Sequence, residues 1–269
     1  MNILALGDVM GPAGVKVIKD KLPNLIKDKK VDFVILNGEN AANNGVGISN
    51  QNAEDFFHAG VDVITSGNHI WDQKETMQFI KSEKRLLRPE NSLTPAPGEG
   101  IGIFNSKNNK KIAVINLMGN VFMKQSEDVF ESAKKFISNF KLKQNIDFIV
   151  VDIHGEITSE KMAMGYFFDG KATLVFGTHT HVPTSDYRIM DKGTAYQTDL
   201  GMCGDYKSVI GMDRDNSLKK FLKDPSSKKH FPAVGEATIS GLLVVGDEQT
   251  GLAKKVQPII LGGSLQERV

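Results

Sequence analysis

The chain has 269 residues, a formal net charge of +1, 24% charged and 40% hydrophobic residues, and one cysteine. So even a charge balance gives no overall field for duplex nucleic acid or an anionic membrane, and no apolar run approaches the roughly 20 residues of a membrane span. The lone Cys203 excludes an internal disulfide and suits a reducing compartment, and MNILALGDVMG lacks a basic start before a long apolar stretch, so a cytoplasmic protein is expected.

In chain order, six apolar runs read as strands: NILALG (2–7), VDFVILN (31–37), VDVITS (61–66), KIAVINL (111–117), IDFIVVDI (146–153) and ATLVF (172–176). They are rich in Val and Ile and apolar nearly throughout, as strands buried on both faces are. Helical segments alternate with them. In 13–30, Val15, Ile18, Leu22, Leu25 and Ile26 form one stripe with lysines opposite, and Pro23 predicts a kink or break there. NQNAEDFFHAG and SEDVFESAKKFISNFKLK read as helices too. This alternation predicts an α/β fold. The last third differs: DYRIM, GTAYQT, ATISGLLVVG and AKKVQPII are short strand candidates, expected as hairpins or a second sheet. SLKKFLKDPSSKKH (217–230) reads as a basic surface helix and loop. No linker divides the chain, and one domain over 1–269 is expected.

The ends of five of these six apolar runs carry the chemistry. Asp8 follows the first run, Glu39 and Asn40 the second, Asn68 and His69 the third; His154 follows 146–153, and His179 and His181 follow 172–176. Ligands in open α/β sheets bind beyond the carboxyl ends of parallel strands, so these eight residues are expected to converge. Carboxylate, amide oxygen and imidazole are donors for Mn, Fe and Zn. On an extended segment His179 and His181 would point to one side, roughly 6.5–7 Å apart, within reach of two metals. Glu39 and Asn40 can both point inward only if the chain turns, which Gly38 permits; Gly67 stands likewise before Asn68. Each residue also has a plain reading: Asp8 as a helix cap, Asn40 as a turn residue, a strand-end histidine as a satisfied polar group. Together the five coincidences favour a metal site.

The motifs GDVMG, GEN, GNHIWD, DIHGE and GTHTH, in that order, resemble the calcineurin-like metallophosphoesterases. Met10 stands where that superfamily has histidine in its first motif, and Glu39 where it has aspartate in its second; Asn40 is placed to supply the ligand Met10 cannot. With LNGENAANNGVGI, DVITSGNHIWD, GTHTHVPTSDYRI and GTAYQTDLGMCG, the chain resembles the YmdB-type bacterial branch over essentially its whole length.

That resemblance implies a four-layer α/β/β/α sandwich with a dinuclear Fe or Mn centre. It implies that Asp8, Glu39, Asn40 and His181 hold one metal, that Glu39, Asn68, His154 and His179 hold the other, and that His69 donates the proton. The implied activity is hydrolysis of phosphodiesters, including 2′,3′-cyclic nucleotides opened at the 2′ ester by a bridging hydroxide. Two divalent ions, less two carboxylates and a hydroxide, leave about one positive charge, which suits an anionic diester. The expected partner is a small phosphodiester; a homo-oligomer is compatible with the sequence. Two other functions stay open: a phosphomonoesterase on the same centre, and a regulatory protein with structural metals. For the neighbours, Asp72 reads as an orienter of His69 or a helix cap, Glu156 as a partner of His154 or a surface salt bridge, Cys203 as a packed residue rather than a nucleophile, Trp71 as a packed residue or a platform that stacks a base, and NNGVGIS as a glycine turn or a mobile lip.

Overall fold

A computed structural model describes residues 1–93 and 95–269 and shows a mixed α/β fold built on two main sheets. The first contains β1 (Asn2–Leu6), β3 (Phe33–Asn37), β4 (Val63–Thr65), β12 (Ile239–Gly246) and β13 (Ala253–Leu261), in the order β13-β12-β1-β3-β4. The second contains β5 (Ile101–Asn105), β6 (Lys111–Met118), β7 (Phe148–His154), β8 (Leu174–Thr178), β9 (Arg188–Ile189) and β10 (Ala195–Gln197), in the order β5-β6-β7-β8-β10-β9. β1, β3 and β4 run parallel, as do β6, β7 and β8. A small parallel pair joins β2 (Asp8–Val9) to β11 (Met202–Cys203).

Strand parity divides the side chains between three apolar clusters. Ile3, Phe33, Ile35 and Val63 of the first sheet meet Ile112, Val114, Phe148, Val150, Leu174 and Phe176 of the second. On the outer face of the first sheet, Leu4, Val34, Leu36 and Ile64 pack with α1 (Gly11–Asp28) and α2 (Asn50–His58). On the outer face of the second, Ile115, Ile149, Val151 and Val175 pack with α4 (Val129–Asn139) and α5 (Thr158–Phe168). α3 (Thr76–Phe79) and α6 (Arg214–Phe221) complete the elements.

Of the kink or break expected at Pro23, the break does not occur: α1 continues through Pro23. Pro23 and Lys19, four residues before it, are both exposed, so water can take the lost hydrogen bond while Val17, Ile18, Leu22 and Leu25 stay buried. The late strands form the expected antiparallel hairpins, β9–β10 and β12–β13, and no second sheet of their own: β12 pairs antiparallel with β1 and carries β13, while β10 extends β8 in parallel and carries β9. β5 and α5 were absent from the sequence reading; α5 escapes it because its inward face carries a lysine, Lys161, among its buried residues.

The inner faces change character at one level. Going up the strands, the apolar positions give way to Asn37 on β3, Thr65 on β4, Asn116 on β6, Asp152 on β7 and Thr178 on β8, all fully buried. The candidate site lies directly above this polar layer.

Candidate metal centre

Glu39 and Asn40 follow β3 in a tight turn: the Glu39 N–H donates to Asn37 Oδ1 at 3.0 Å and the Ala41 N–H to the Gly38 carbonyl at 3.3 Å. Gly38 and Gly67 serve by being small rather than by a left-handed φ. A Cβ on Gly67 would stand 2.3 Å from the His154 ring, and one on Gly38 2.8 Å from the Ile64 side chain. The histidine pair is not on an extended segment, contrary to expectation. His179 and His181 have φ of +101° and +65°, left-handed values that are strained for residues with a Cβ. A buried ion pair holds the chain there. Lys161 Nζ donates to the Thr178 carbonyl at 3.0 Å and to Asp199 Oδ2 at 2.8 Å, and the same oxygen accepts the Thr180 N–H at 3.1 Å.

His154 is the centre of one group. Its Nε2 touches Glu39 Oε2 and lies 3.0 Å from His179 Nδ1 and 3.3 Å from Asn68 Oδ1. One donor atom each of Glu39, His154 and His179 fall within 4.8 Å of one another. His179 Nε2 faces Glu156 Oε2 at 3.2 Å. A carboxylate only accepts, so that nitrogen carries the hydrogen and Nδ1 turns a lone pair toward the group. Glu156 is therefore the partner of His179 rather than of His154.

His181 and Asn40 make the second group. His181 Nδ1 donates to the Ile210 carbonyl at 2.7 Å, which leaves Nε2 as the acceptor nitrogen. Asn40 Nδ2 donates to the Gly45 carbonyl at 2.9 Å, which turns Oδ1 inward. These two acceptors face each other at 3.2 Å. Two facing lone pairs repel unless a proton or a cation lies between them. Asp8 stands between the groups. Its Oδ2 accepts the His179 N–H at 3.1 Å, and its buried Oδ1, 3.8 Å from His154 Nδ1, has no hydrogen-bond partner among the described residues. An orphaned buried carboxylate oxygen and opposed acceptors are what a cation would satisfy.

The electrostatics agree. Burial pushes the Asp8 carboxyl up to about 6, although His181 and His154 oppose the rise. Burial would also raise Glu39, but the charge of His154 and the His69 N–H overcome it and hold it down at about 2. Burial disfavours a charged His154, yet Glu39 and Asp8 lift it to about 9. Burial and the neighbouring His154 push His179 down to about 3. Without an ion the group therefore balances itself by placing a proton between Glu39 and His154.

His69 lies at the rim. Its peptide N–H donates to Glu39 Oε1 at 2.6 Å and its ring Nδ1 meets Asp72 Oδ2 at 2.6 Å. Asp72 thus orients His69 and caps no helix; the N-cap of α3 is Glu75. The side chain is 32% exposed, so the remaining Nε2 can meet a substrate. Lys124 reaches the same rim, donating to the Asn68 carbonyl and lying 3.7 Å from Asp72 Oδ1. Of the other residues noted, Cys203 is buried with its thiol pushed up to about 12 by burial, and Trp71 packs on the outer cluster. Gly45 and Gly47 are turn residues at φ of +79° and +78°, and Gly45 is packed close to Met10 and Pro232.

All eight residues singled out at the strand ends are thus drawn into one region. The sequence reading missed what lies beneath them: Asn37, Thr178, Asp152, the Lys161–Asp199 pair and the Ile210 carbonyl. The first three had a signal, a polar residue interrupting an apolar run one or two places before a ligand type. The Ile210 carbonyl had none, because any residue there supplies the same atom.

A family model described as YmdB-like protein matches residues 4–259. The chain belongs to the YmdB-like family. It is 42% identical to a Bacillus subtilis protein named 2′,3′-cyclic-nucleotide 2′-phosphodiesterase, over 97% of each chain. A Mycoplasma pneumoniae relative named a putative phosphatase/phosphodiesterase is 40% identical, over 86% of this chain and 82% of its own. Among solved structures, a hypothetical protein of Thermus thermophilus superposes with a TM-score of 0.89 at 35% identity, over 98% of this chain and 100% of its own. A Mycoplasma pneumoniae protein described as a novel phosphatase gives 0.88 at 36%, over 97% and 93%.

Proposed function

We propose that this YmdB-like chain is a metal-dependent phosphodiesterase acting on small diesters such as 2′,3′-cyclic nucleotides, with the 2′ ester cleaved and a 3′-phosphate left. We read the chain as one domain, with the two sheets and their outer helices as a four-layer α/β/β/α sandwich. The observation that carries the proposal is the pair of opposed acceptors His181 Nε2 and Asn40 Oδ1, beside a second group of acceptors around His154 Nε2. Asp8, Glu39, Asn40 and His181 would hold one cation, and Glu39, Asn68, His154 and His179 the other. The donors are oxygen and imidazole nitrogen with no thiolate, a set that suits Fe or Mn. The name of the Bacillus subtilis relative supports the substrate class.

When bound, the ions would supply Lewis-acid polarisation of the phosphate and a water acidified for attack. The chain does the rest. Asp199 and Lys161 hold the His179–His181 turn, so the two groups keep their separation. Asp72 accepts a hydrogen bond from His69 Nδ1–H, and it is the imidazolium form, with a second hydrogen on Nε2, that would protonate the departing alkoxide. Glu39 accepts the His69 N–H, which ties the proposed proton donor to the carboxylate that both cations would share. A phosphomonoesterase is the competing reading, favoured by the word phosphatase in the names of both Mycoplasma pneumoniae proteins.

Kinetics of Mn-loaded protein on 2′,3′-cyclic AMP, 3′,5′-cyclic AMP and 3′-AMP, with products identified by phosphorus NMR, separate these readings. The proposal expects the 2′,3′ isomer to be turned over fastest, because its five-membered ring is strained, with 3′-AMP accumulating. Preference for the 3′,5′ isomer, a 2′-phosphate product, or further hydrolysis of 3′-AMP at a comparable rate would overturn it.

A further inference from the structure

Asp152 is a fully buried carboxylate that neither group of candidate ligands uses. It projects from β7 into the space between the sheets and draws three donors to itself. Oδ2 accepts from the Thr65 hydroxyl at 2.6 Å and from Asn37 Nδ2 at 3.0 Å, both on the first sheet. Oδ1 accepts from the Thr178 hydroxyl at 2.8 Å, on the second. Burial raises its pKa, and the hydrogen bonds from Thr65, Asn37 and Thr178 and the nearby His154 oppose that rise.

Each contact passes information upward. A threonine hydroxyl has one hydrogen. If Thr178 gives it to Asp152, its oxygen can only accept from His154 Nδ1, 2.9 Å away. His154 then carries its hydrogen on Nδ1 and turns Nε2 to Glu39, Asn68 and His179. The Asn37 amide is set in the same way. With Nδ2 held by Asp152, its Oδ1 is the atom that accepts the Glu39 N–H at 3.0 Å, which shapes the turn presenting Glu39 and Asn40. One carboxylate therefore governs a ligand on each sheet.

We propose that Asp152 is a positioning residue for the metal centre, fixing the Nδ1–H form of His154 through Thr178 and the Glu39 turn through Asn37. This inference rests on the reading of the site as a metal centre. A residue that merely joined the two sheets would alter stability but not the tautomer of His154 or the affinity for a metal in protein that remains folded.

The test uses Asp152→Asn, Thr178→Val and Thr178→Ser in the full chain. Mn²⁺ affinity is read by electron paramagnetic resonance, and the His154 ring by ¹⁵N NMR of the Zn²⁺-loaded protein. Wild type is expected to show a slowly exchanging Nδ1–H on His154. Asp152→Asn and Thr178→Val should lose that signal and weaken Mn²⁺ by about 10–100-fold, the usual effect of removing a partner of a metal-bound imidazole. Thr178→Ser keeps the hydroxyl and should keep both. If Asp152→Asn fails to fold, the Thr178 pair decides: equal affinity and equal Nδ1–H signals in the Val and Ser proteins overturn the proposal. Wild-type affinity and an intact signal in folded Asp152→Asn overturn it as well. Failure of the unmutated protein to bind Mn²⁺ would overturn the metal reading itself, and is distinguishable because it needs no substitution.

Discussion

Asn40 Oδ1 faces His181 Nε2 at 3.2 Å, and Met10, directly after β2, lies beside Asn40 and is joined to it by an isolated parallel backbone bridge. Met10 is buried and packs against Gly45 and Gly211. A thioether is a poor ligand for Fe or Mn, so under the proposed metal reading the oxygen donor would come from the neighbouring chain segment instead.

Asn40→Ala is therefore expected to lower bound metal from two ions to one per chain, because the His154 group keeps its own ligands. Loss of the bond to the Gly45 carbonyl should cost about 1 kcal/mol of stability. Metal analysis by mass spectrometry and thermal denaturation of the metal-free protein check both. Full retention of both ions would count against Asn40 as a ligand.

His69→Ala should keep its metal and lose turnover. General-acid help is worth about 10²–10⁴-fold on an ester with a poor leaving group, such as a cyclic nucleotide. A nitrophenyl diester leaves with little need of a proton, so its rate should fall much less. Asp72→Asn should move in the same direction by a smaller factor, since His69 remains but its orientation loosens. Equal losses on both substrates would remove His69 from the proton-donor role.

Much of this site is legible in the sequence because parallel strands bring their carboxyl ends to one edge, and each apolar run up to residue 178 that ends in a ligand type marks one such end. Asp8, Glu39, Asn68, His154 and His179 are readable in that way. The directions of the side chains are less so. The left-handed backbone at His179 and His181 comes from Lys161 and Asp199, two residues distant in sequence from each other and buried as a pair. A lysine on an otherwise apolar helix face reads as a break in the pattern, which also hid α5. The pairing of the late strands depends on which edge is free once β1 is in place, and alternation alone cannot tell that. Pro23 does not end the helix because its cost depends on solvent access to one carbonyl.

Metal uptake should release protons. In the ion-free chain, His154 is raised from its ordinary 6.5 to about 9, so near pH 7 it holds a proton that a cation must displace. Glu39, held at about 2, and His179, at about 3, have none to give at that pH. The folded chain binds this proton more tightly than the unfolded chain does. The stabilisation it gives the ion-free protein is full below the unfolded value near 6.5 and is lost as pH rises through about 9. Over the same window, Mn²⁺ affinity should climb with pH and then level off. Calorimetric titration in two buffers of different ionisation enthalpy should give release of close to one proton on filling the His154 position. A binding enthalpy independent of buffer would contradict the assignment.

The central claim is that the two groups of acceptors hold two cations. Anomalous diffraction from crystals of the Mn-loaded protein tests it most directly. The account predicts two peaks per chain, one within bonding distance of His154 Nε2 and the Asn68 oxygen, the other within bonding distance of His181 Nε2 and the Asn40 oxygen, with Glu39 reaching both. A map with no peak at either position, from protein that carries Mn elsewhere or not at all, would contradict it.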